Sequence, residues 1–343
     1  MQTSVSVLSS SPPKNTNPTV TVATTARVHF GFLDPSGRTN EPFGSFGLSL
    51  DQPWTRLTLS HGDEEISSGP EAVRAARYLK TIAGAHGLDH TYRLEIAEAI
   101  PSHAGLGSGT QLALAVGAAF CTLEGLDVSP PGLAAQLGRG ARSGIGIATF
   151  ELGGAVLDSG PRDGTLPQLI ARVPFPEDWP MLLIFDPEAK GLDGSEEVAA
   201  FESLPAFPEA ERADLEARIL ERALPAVQQR DFAVFCDEVG NLQRLMGAYF
   251  APLQGGPFTS KQVEAVIETL RADGVTGLGQ SSWGPTGFAF AASKSDGEDL
   301  LKAARRADSS GALHFSLANA RNQGAEIVLT PSGEEKNLGS TGA

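Results

Sequence analysis

One glycine-rich loop, set between two elements of opposite character, does more than any other feature to limit how this sequence can fold. Ahead of it, Tyr92-Arg-Leu-Glu-Ile96 alternates apolar and charged side chains, the period of a half-buried strand. Behind it, residues 111–122 are apolar on every side, and a helix without a polar face has to be buried centrally. The loop itself reads Pro101-Ser-His-Ala-Gly-Leu-Gly-Ser-Gly-Thr110. Gly105, Gly107 and Gly109 tolerate positive φ, so successive backbone N–H groups can face one concavity. The helix start that follows adds unsatisfied N–H groups and a favourable dipole, which together make an anion cradle. Ser102, Ser108 and Thr110 supply hydroxyls, Ser108 also as a candidate magnesium contact, and His103 either points to solvent or reaches a phosphate. No lysine follows the last glycine, so this is not a Walker A loop, and the spacing is not the dinucleotide fingerprint. Taken alone, the loop is equally compatible with a tight strand-to-helix turn that binds nothing.

The remaining pattern mixes strands and helices, an α+β class. Strands are predicted at 19–25, 54–59, 181–185, 288–292 and 313–317, with residues 26–34 continuing the first and a Pro/Gly-rich connection at 35–47. Helices are predicted at 71–82 behind Pro70, 129–137, 209–223, 231–250 and 298–306, the 209–223 and 231–250 pair separated near Pro225. Another is expected behind a capping box of Thr259 and Gln262. Residues 138–154 read as a glycine-rich stretch carrying Arg139 and Arg142, and 274–287 as a loop. With 343 residues, two lobes are expected, residues 19–175 and 176–330, between disordered segments 1–18 and 331–343. The net charge of −15 repels phosphate backbones and argues against nucleic acid as a partner. Cys121 and Cys236 sit far apart in apolar helical stretches, which fits a reducing compartment, and no membrane-length apolar run or secretory signal is present; a cytoplasmic protein is expected.

Three segments resemble GHMP kinases. The loop at 101–110 resembles their second motif. Gly277-Leu-Gly-Gln-Ser-Ser-Trp-Gly-Pro-Thr-Gly287 resembles the third, and residues 26–34 occupy the place of the first. The resemblance spans about residues 20–330 and implies a ribosomal-protein-type βα lobe, a ferredoxin-like lobe and a ligand cleft between them. The kinase pattern is broken at one place. Where many such kinases carry Ser-Gly-Ile-Asp with a catalytic Asp, this chain reads Ser143-Gly-Ile-Gly146, and glycine can neither accept a proton nor orient a hydroxyl. Glu151 lies nearby on a different phase. With Arg27-Val-His-Phe-Gly-Phe-Leu-Asp34, Arg139-Gly-Ala-Arg142 and Gln280-Ser-Ser-Trp-Gly-Pro-Thr286, the chain is similar to the β-ribofuranosylaminobenzene 5′-phosphate synthase family. That family joins 4-aminobenzoate to phosphoribosyl pyrophosphate, with loss of carbon dioxide and pyrophosphate, for tetrahydromethanopterin synthesis. The resemblance implies magnesium on the pyrophosphate, no pyridoxal phosphate and a homodimer. An ATP-dependent small-molecule kinase and a non-catalytic ligand-binding relative are the alternatives, and 4-hydroxybenzoate is an equally open acceptor.

On this reading Arg27, His29 and Arg142 carry the reaction. His29 is assigned there because it lies in the motif and because an imidazole titrates near neutrality, with a hydrogen-bonded structural histidine as the plain alternative, as a surface salt bridge is for Arg27. Arg139 joins Arg142 as a planar fork for phosphate or carboxylate, against a solvated helix end as the plain alternative. Asp34 is a magnesium or ribose contact, or a turn-forming residue before Pro35. Lys190 is a substrate contact or an exposed loop lysine. Ser281, Ser282 and Trp283 shape an aromatic acceptor pocket, or Trp283 belongs to the core. Glu196 and Glu197 read as helix N-terminal charges.

Overall fold

A computed structural model describes residues 17–36, 43–162, 164–191 and 203–332. The chain runs β1 (Thr19–Asp34), β2 (Phe43–His61), β3 (Ile66–Ser68), α1 (Ala72–Ala85), β4 (Tyr92–Glu98), α2 (Ser108–Glu124), α3 (Pro130–Gln136), α4 (Ile145–Leu152), β5 (Ala155–Asp158), β6 (Leu169–Val173) and β7 (Met181–Phe185). It continues through α5 (Glu209–Arg218), a π-helical turn (Ile219–Ala223), α6 (Leu224–Gln229), α7 (Phe232–Gln254), α8 (Lys261–Ala272), β8 (Leu278–Gln280), β9 (Gly287–Phe290), α9 (Lys294–Ala307), β10 (His314–Ala318) and β11 (Glu326–Thr330). Glu196, Glu197 and most of the two terminal segments lie outside the described residues.

Two sheets organise these elements. The larger has the order β11-β1-β2-β4-β3, with β5 and β6 extending from β2; the smaller is β10-β7-β9-β8. β11 returns from the end of the chain to pair with β1, Thr19 opposite Thr330. Helices α1, α2 and α3 cover one face of the larger sheet over Val20, Val22, Leu57, Leu59, Leu94 and Ile96. Helices α8 and α9 cover one face of the smaller sheet over Leu182, Ile184 and Ala289. A third cluster joins the sheets, packing Phe30, Phe46, Phe175, Phe235, Phe288 and Phe290 together. Fully burying one such ring is worth about 1.5–3 kcal/mol, so the junction is itself part of the hydrophobic core. Among the described residues, no helix is long and apolar enough to cross a membrane.

Several predicted boundaries move, for identifiable reasons. The stretch 35–47 is not wholly irregular, because β2 begins at Phe43. A Cβ on Gly47 would lie 2.6 Å from the Val28 carbonyl oxygen, so that glycine marks close strand approach and not a turn. Residues 145–152 form a helix that the flanking glycines conceal. Pro225 does not separate two helices: α5, the π-helical turn and α6 run on with helical dihedrals at Arg218, Ala223 and Leu224, and the chain breaks instead at left-handed Arg230. Ser260, not Thr259, caps α8 by accepting from the Val263 N–H at 3.1 Å, so the capping box does not form.

Candidate active site

Three segments far apart in sequence are stitched together at the middle of β1. The β1–β2 ladder is regular up to Thr25 and irregular between Thr25 and Arg27 and again between His29 and Gly31. Such bulges re-aim side chains and release edge groups from the ladder. On that edge the Arg27 N–H donates to the Leu106 carbonyl at 3.1 Å, and the Ser282 N–H donates to the His29 carbonyl at 3.1 Å. The Ser281 hydroxyl accepts from the His29 N–H at 3.1 Å and donates to the Gly105 carbonyl at 2.7 Å. Arg27 Nη1 donates to the same carbonyl at 2.6 Å. The two glycine loops interlock here, since a Cβ on Gly105 would lie 2.2 Å from the Ser281 carbonyl oxygen. Gly107 has φ +81°, and a Cβ there would meet the Arg27 side chain at 3.1 Å. Glycine is therefore required twice in three residues.

The loop opens onto a cleft of about 660 Å³. Its floor is the start of α2, which has no side-chain cap, so the first-turn N–H groups are not taken up by a side chain. Five arginines line the cleft (Arg27, Arg74, Arg77, Arg139 and Arg142) and, among the described residues, no carboxylate does. In a chain of net charge −15 this is a local inversion of sign, an environment that suits an anionic ligand. Arg139 donates to the Tyr78 hydroxyl, and its guanidinium lies 5.1 Å from the centre of that ring. Asp158 holds the arginine loop from behind, accepting from the Gly144 N–H at 2.7 Å and the Ser143 hydroxyl at 3.3 Å. Burial pushes the Asp158 carboxyl up to about 6, against the pull of the N–H groups of Gly160 and Gly144.

His29 is buried beneath the cleft, its ring 4.6 Å from that of Phe32. Neither ring nitrogen has a hydrogen-bond partner among the described residues. Burial, and then the positive charge of Arg27, lower its pKa to about 3. The expectation of a near-neutral proton carrier is thereby corrected: His29 is a neutral imidazole at physiological pH, suited to hydrogen bonding. Trp283 packs edge-on against Phe250 at 4.7 Å and also lines the cleft, so it is both core and wall. With Phe32 it forms an apolar side to the otherwise cationic space.

Most predicted residues meet at this cleft: Arg27, His29, His103, Gly105, Gly107, Ser108, Gly109, Thr110, Arg139, Arg142, Ser282 and Trp283. Four do not line it. Ser281 is fully buried and acts as the latch just described. Ser102 donates to Glu71 at 2.7 Å. Lys190 lies with Ser102 in a neighbouring hollow beyond the loop. Asp34 is buried, its carboxylate accepting from the Ser36 N–H at 2.9 Å and hydroxyl at 2.6 Å, which is the turn-forming role. The described lining thus offers hydroxyls but no carboxylate for a resident magnesium ion, and the donor set fits a metal that arrives on phosphate oxygens instead. Sequence reasoning missed Arg74, Arg77 and Tyr78. Their spacing on α1 puts them on one helical face, a signal available once α1 is known to pack beside the loop. At Gly146 the kinase aspartate has no room, because a Cβ would lie 2.9 Å from Thr110 Cγ2.

Known proteins share this architecture and, in part, this sequence. Residues 71–154 match the GHMP kinases N terminal domain and residues 223–309 the GHMP kinases C terminal family. The beta-ribofuranosylphenol 5'-phosphate synthase of Archaeoglobus fulgidus is 31% identical over 324 residues, covering 89% of this chain and 98% of that protein. The enzyme of that name from Methanothermobacter thermautotrophicus is 27% identical over 330 residues, covering 90% and 98%. Among solved structures, a homoserine kinase from Cytophaga hutchinsonii superposes with a TM-score of 0.65 at 16% identity, covering 94% of this chain and 100% of that one. Mevalonate diphosphate decarboxylase from Staphylococcus aureus gives 0.61 at 17% identity, covering 91% and 98%. These last two speak for the fold alone.

Proposed function

Because this chain belongs to the beta-ribofuranosylphenol 5'-phosphate synthase family, within the GHMP-kinase fold, we propose that it is a decarboxylating pentosyltransferase. Its donor is phosphoribosyl pyrophosphate, and its acceptor is 4-aminobenzoate or the hydroxyl analogue that would give the phenol named for its relatives. Tetrahydromethanopterin synthesis is the proposed destination of the aminobenzene product. The observation that carries the reading is a cleft with five arginines and an uncapped helix start but no carboxylate among the described residues.

The chemistry suits those groups. The ring carbon that bears the carboxylate attacks C1 of the ribose while the C1–O bond to pyrophosphate breaks. The bond from ring to carboxyl carbon then breaks, carbon dioxide leaves, and its electron pair restores aromaticity. No proton has to be removed by the protein, which is consistent with Gly146 in place of a base and with a His29 that stays neutral. Negative charge grows on the departing pyrophosphate, where Arg27, Arg139, Arg142 and the N–H groups of Gly107, Ser108 and Gly109 are the stabilising donors. Each well-placed donor of this kind is worth about 3–4 kcal/mol in the transition state. Magnesium enters with the pyrophosphate as part of the substrate. Phe32 and Trp283 give the acceptor ring an apolar wall, with the neutral imidazole of His29 buried beneath it.

The test is release of labelled carbon dioxide from carboxyl-labelled 4-aminobenzoate and 4-hydroxybenzoate, with phosphoribosyl pyrophosphate and magnesium. Stoichiometric carbon dioxide and pyrophosphate from either acceptor is the expected result. ATP-dependent phosphorylation of an alcohol, without release from either benzoate, would replace this reading with a kinase.

A further inference from the structure

At the end of α2 remote from the glycine loop, three side chains with no part in the proposed reaction converge. His61 closes β2, His90 lies just before β4, and Glu124 is the last residue of α2. His61 Nε2 is 2.7 Å from Glu124 Oε1, and His90 Nδ1 is 3.2 Å from Glu124 Oε2. One ligand atom from each residue lies within 4.8 Å of the others. In a tetrahedral zinc site with bonds of about 2.0–2.1 Å, neighbouring donor atoms stand roughly 3.3 Å apart, so this spacing needs only a small adjustment. The two imidazoles meet edge to face at 5.2 Å, both directed at one carboxylate. The Tyr92 hydroxyl donates to Glu124 Oε1 at 2.9 Å, the kind of outer contact that fixes a ligating carboxylate. Exposure is graded suitably: the Glu124 side chain is 7% exposed, His61 34% and His90 50%, so the anchor is held inside while the imidazoles face solvent.

We propose that His61, His90 and Glu124 form a binding site for a zinc-like divalent cation, with water in the open fourth position. Two imidazole nitrogens and one carboxylate oxygen favour zinc, cobalt or nickel over magnesium. The two cysteines, Cys121 and Cys236, are buried and do not compete. The ion would fasten the end of β2, the approach to β4 and the end of α2 to one another, stabilising this lobe away from the cleft. A plain hydrogen-bonded cluster, with imidazole N–H groups on the carboxylate, is the contrary outcome.

The full-length, metal-stripped protein is titrated with cobalt(II) and with zinc, read by calorimetry and by the visible absorption of bound cobalt. The expected result is a single equivalent with a tetrahedral cobalt spectrum, displaced by zinc, and a melting temperature raised by zinc but not by magnesium. His90→Ala, at a half-exposed position that leaves the fold intact by circular dichroism, and Glu124→Gln each weaken that binding by at least about tenfold. Absence of stoichiometric uptake by the wild type, or wild-type affinity retained in both variants, overturns the site.

Discussion

In the unfolded chain His29 titrates near 6.5, whereas burial, and then the charge of Arg27, hold its folded imidazole at about 3. Between those values the unfolded state binds a proton that the folded state does not, so stability rises with pH by about 1.4 kcal/mol per unit for one such group. The contribution is fully present above the unfolded pKa and is lost as pH falls toward 3. His29→Gln removes it. In urea unfolding at about pH 4 and about pH 6, the free-energy difference between variant and wild type should move in the variant's favour at the lower pH. A difference independent of pH would show that the folded imidazole is protonated over that range. The sequence placed His29 beside Arg27 on one strand but misjudged its state, because alternation with Val28 and Phe30 does not reveal that β1 is covered on both faces. Ser281 shows the same limit. Its residue type and motif were legible, but its partners, Gly105 and His29, are 176 and 252 positions away.

Among the elements, α2 was the easiest to read and α4 the hardest. An all-apolar helix behind a glycine loop admits few placements, and α2 lies where that pattern puts it, packed on the larger sheet with α1 and α3 beside it. Gln111 is the exception within it, accepting from the Thr24 hydroxyl at 2.6 Å and donating to the Gly146 carbonyl at 2.8 Å. That bridge ties β1 and α4 to the helix, a tertiary cause that glycine-rich residues 138–154 do not announce. Helix α1 was legible as a helix but not as a wall of the site. Arg77 is an exposed member of that wall, with no ion-pair partner among the described residues. Arg77→Ala should therefore leave the melting temperature unchanged while weakening phosphoribosyl pyrophosphate binding about tenfold, the lower end for a charged hydrogen bond. Calorimetry with equal affinity for variant and wild type would remove α1 from the site.

The molecule as a whole is an acidic protein with a cationic cleft. The two-sheet GHMP-kinase architecture was legible because three glycine motifs punctuate it. The return of β11 to the first sheet was not, since a five-residue edge strand near the terminus carries little pattern. The acidic exterior repels polyanions at long range, so affinity has to come from the 101–110 loop and the arginines around it. The most direct measurement is calorimetric titration of phosphoribosyl pyrophosphate, with magnesium, into the wild type and Gly107→Val, whose side chain would crowd Arg27 from a backbone at φ +81°. Saturable binding by the wild type that weakens with added salt, and none by a variant with a wild-type circular dichroism spectrum, is the predicted result. Equal affinity in the two proteins would place the phosphates elsewhere and contradict the account.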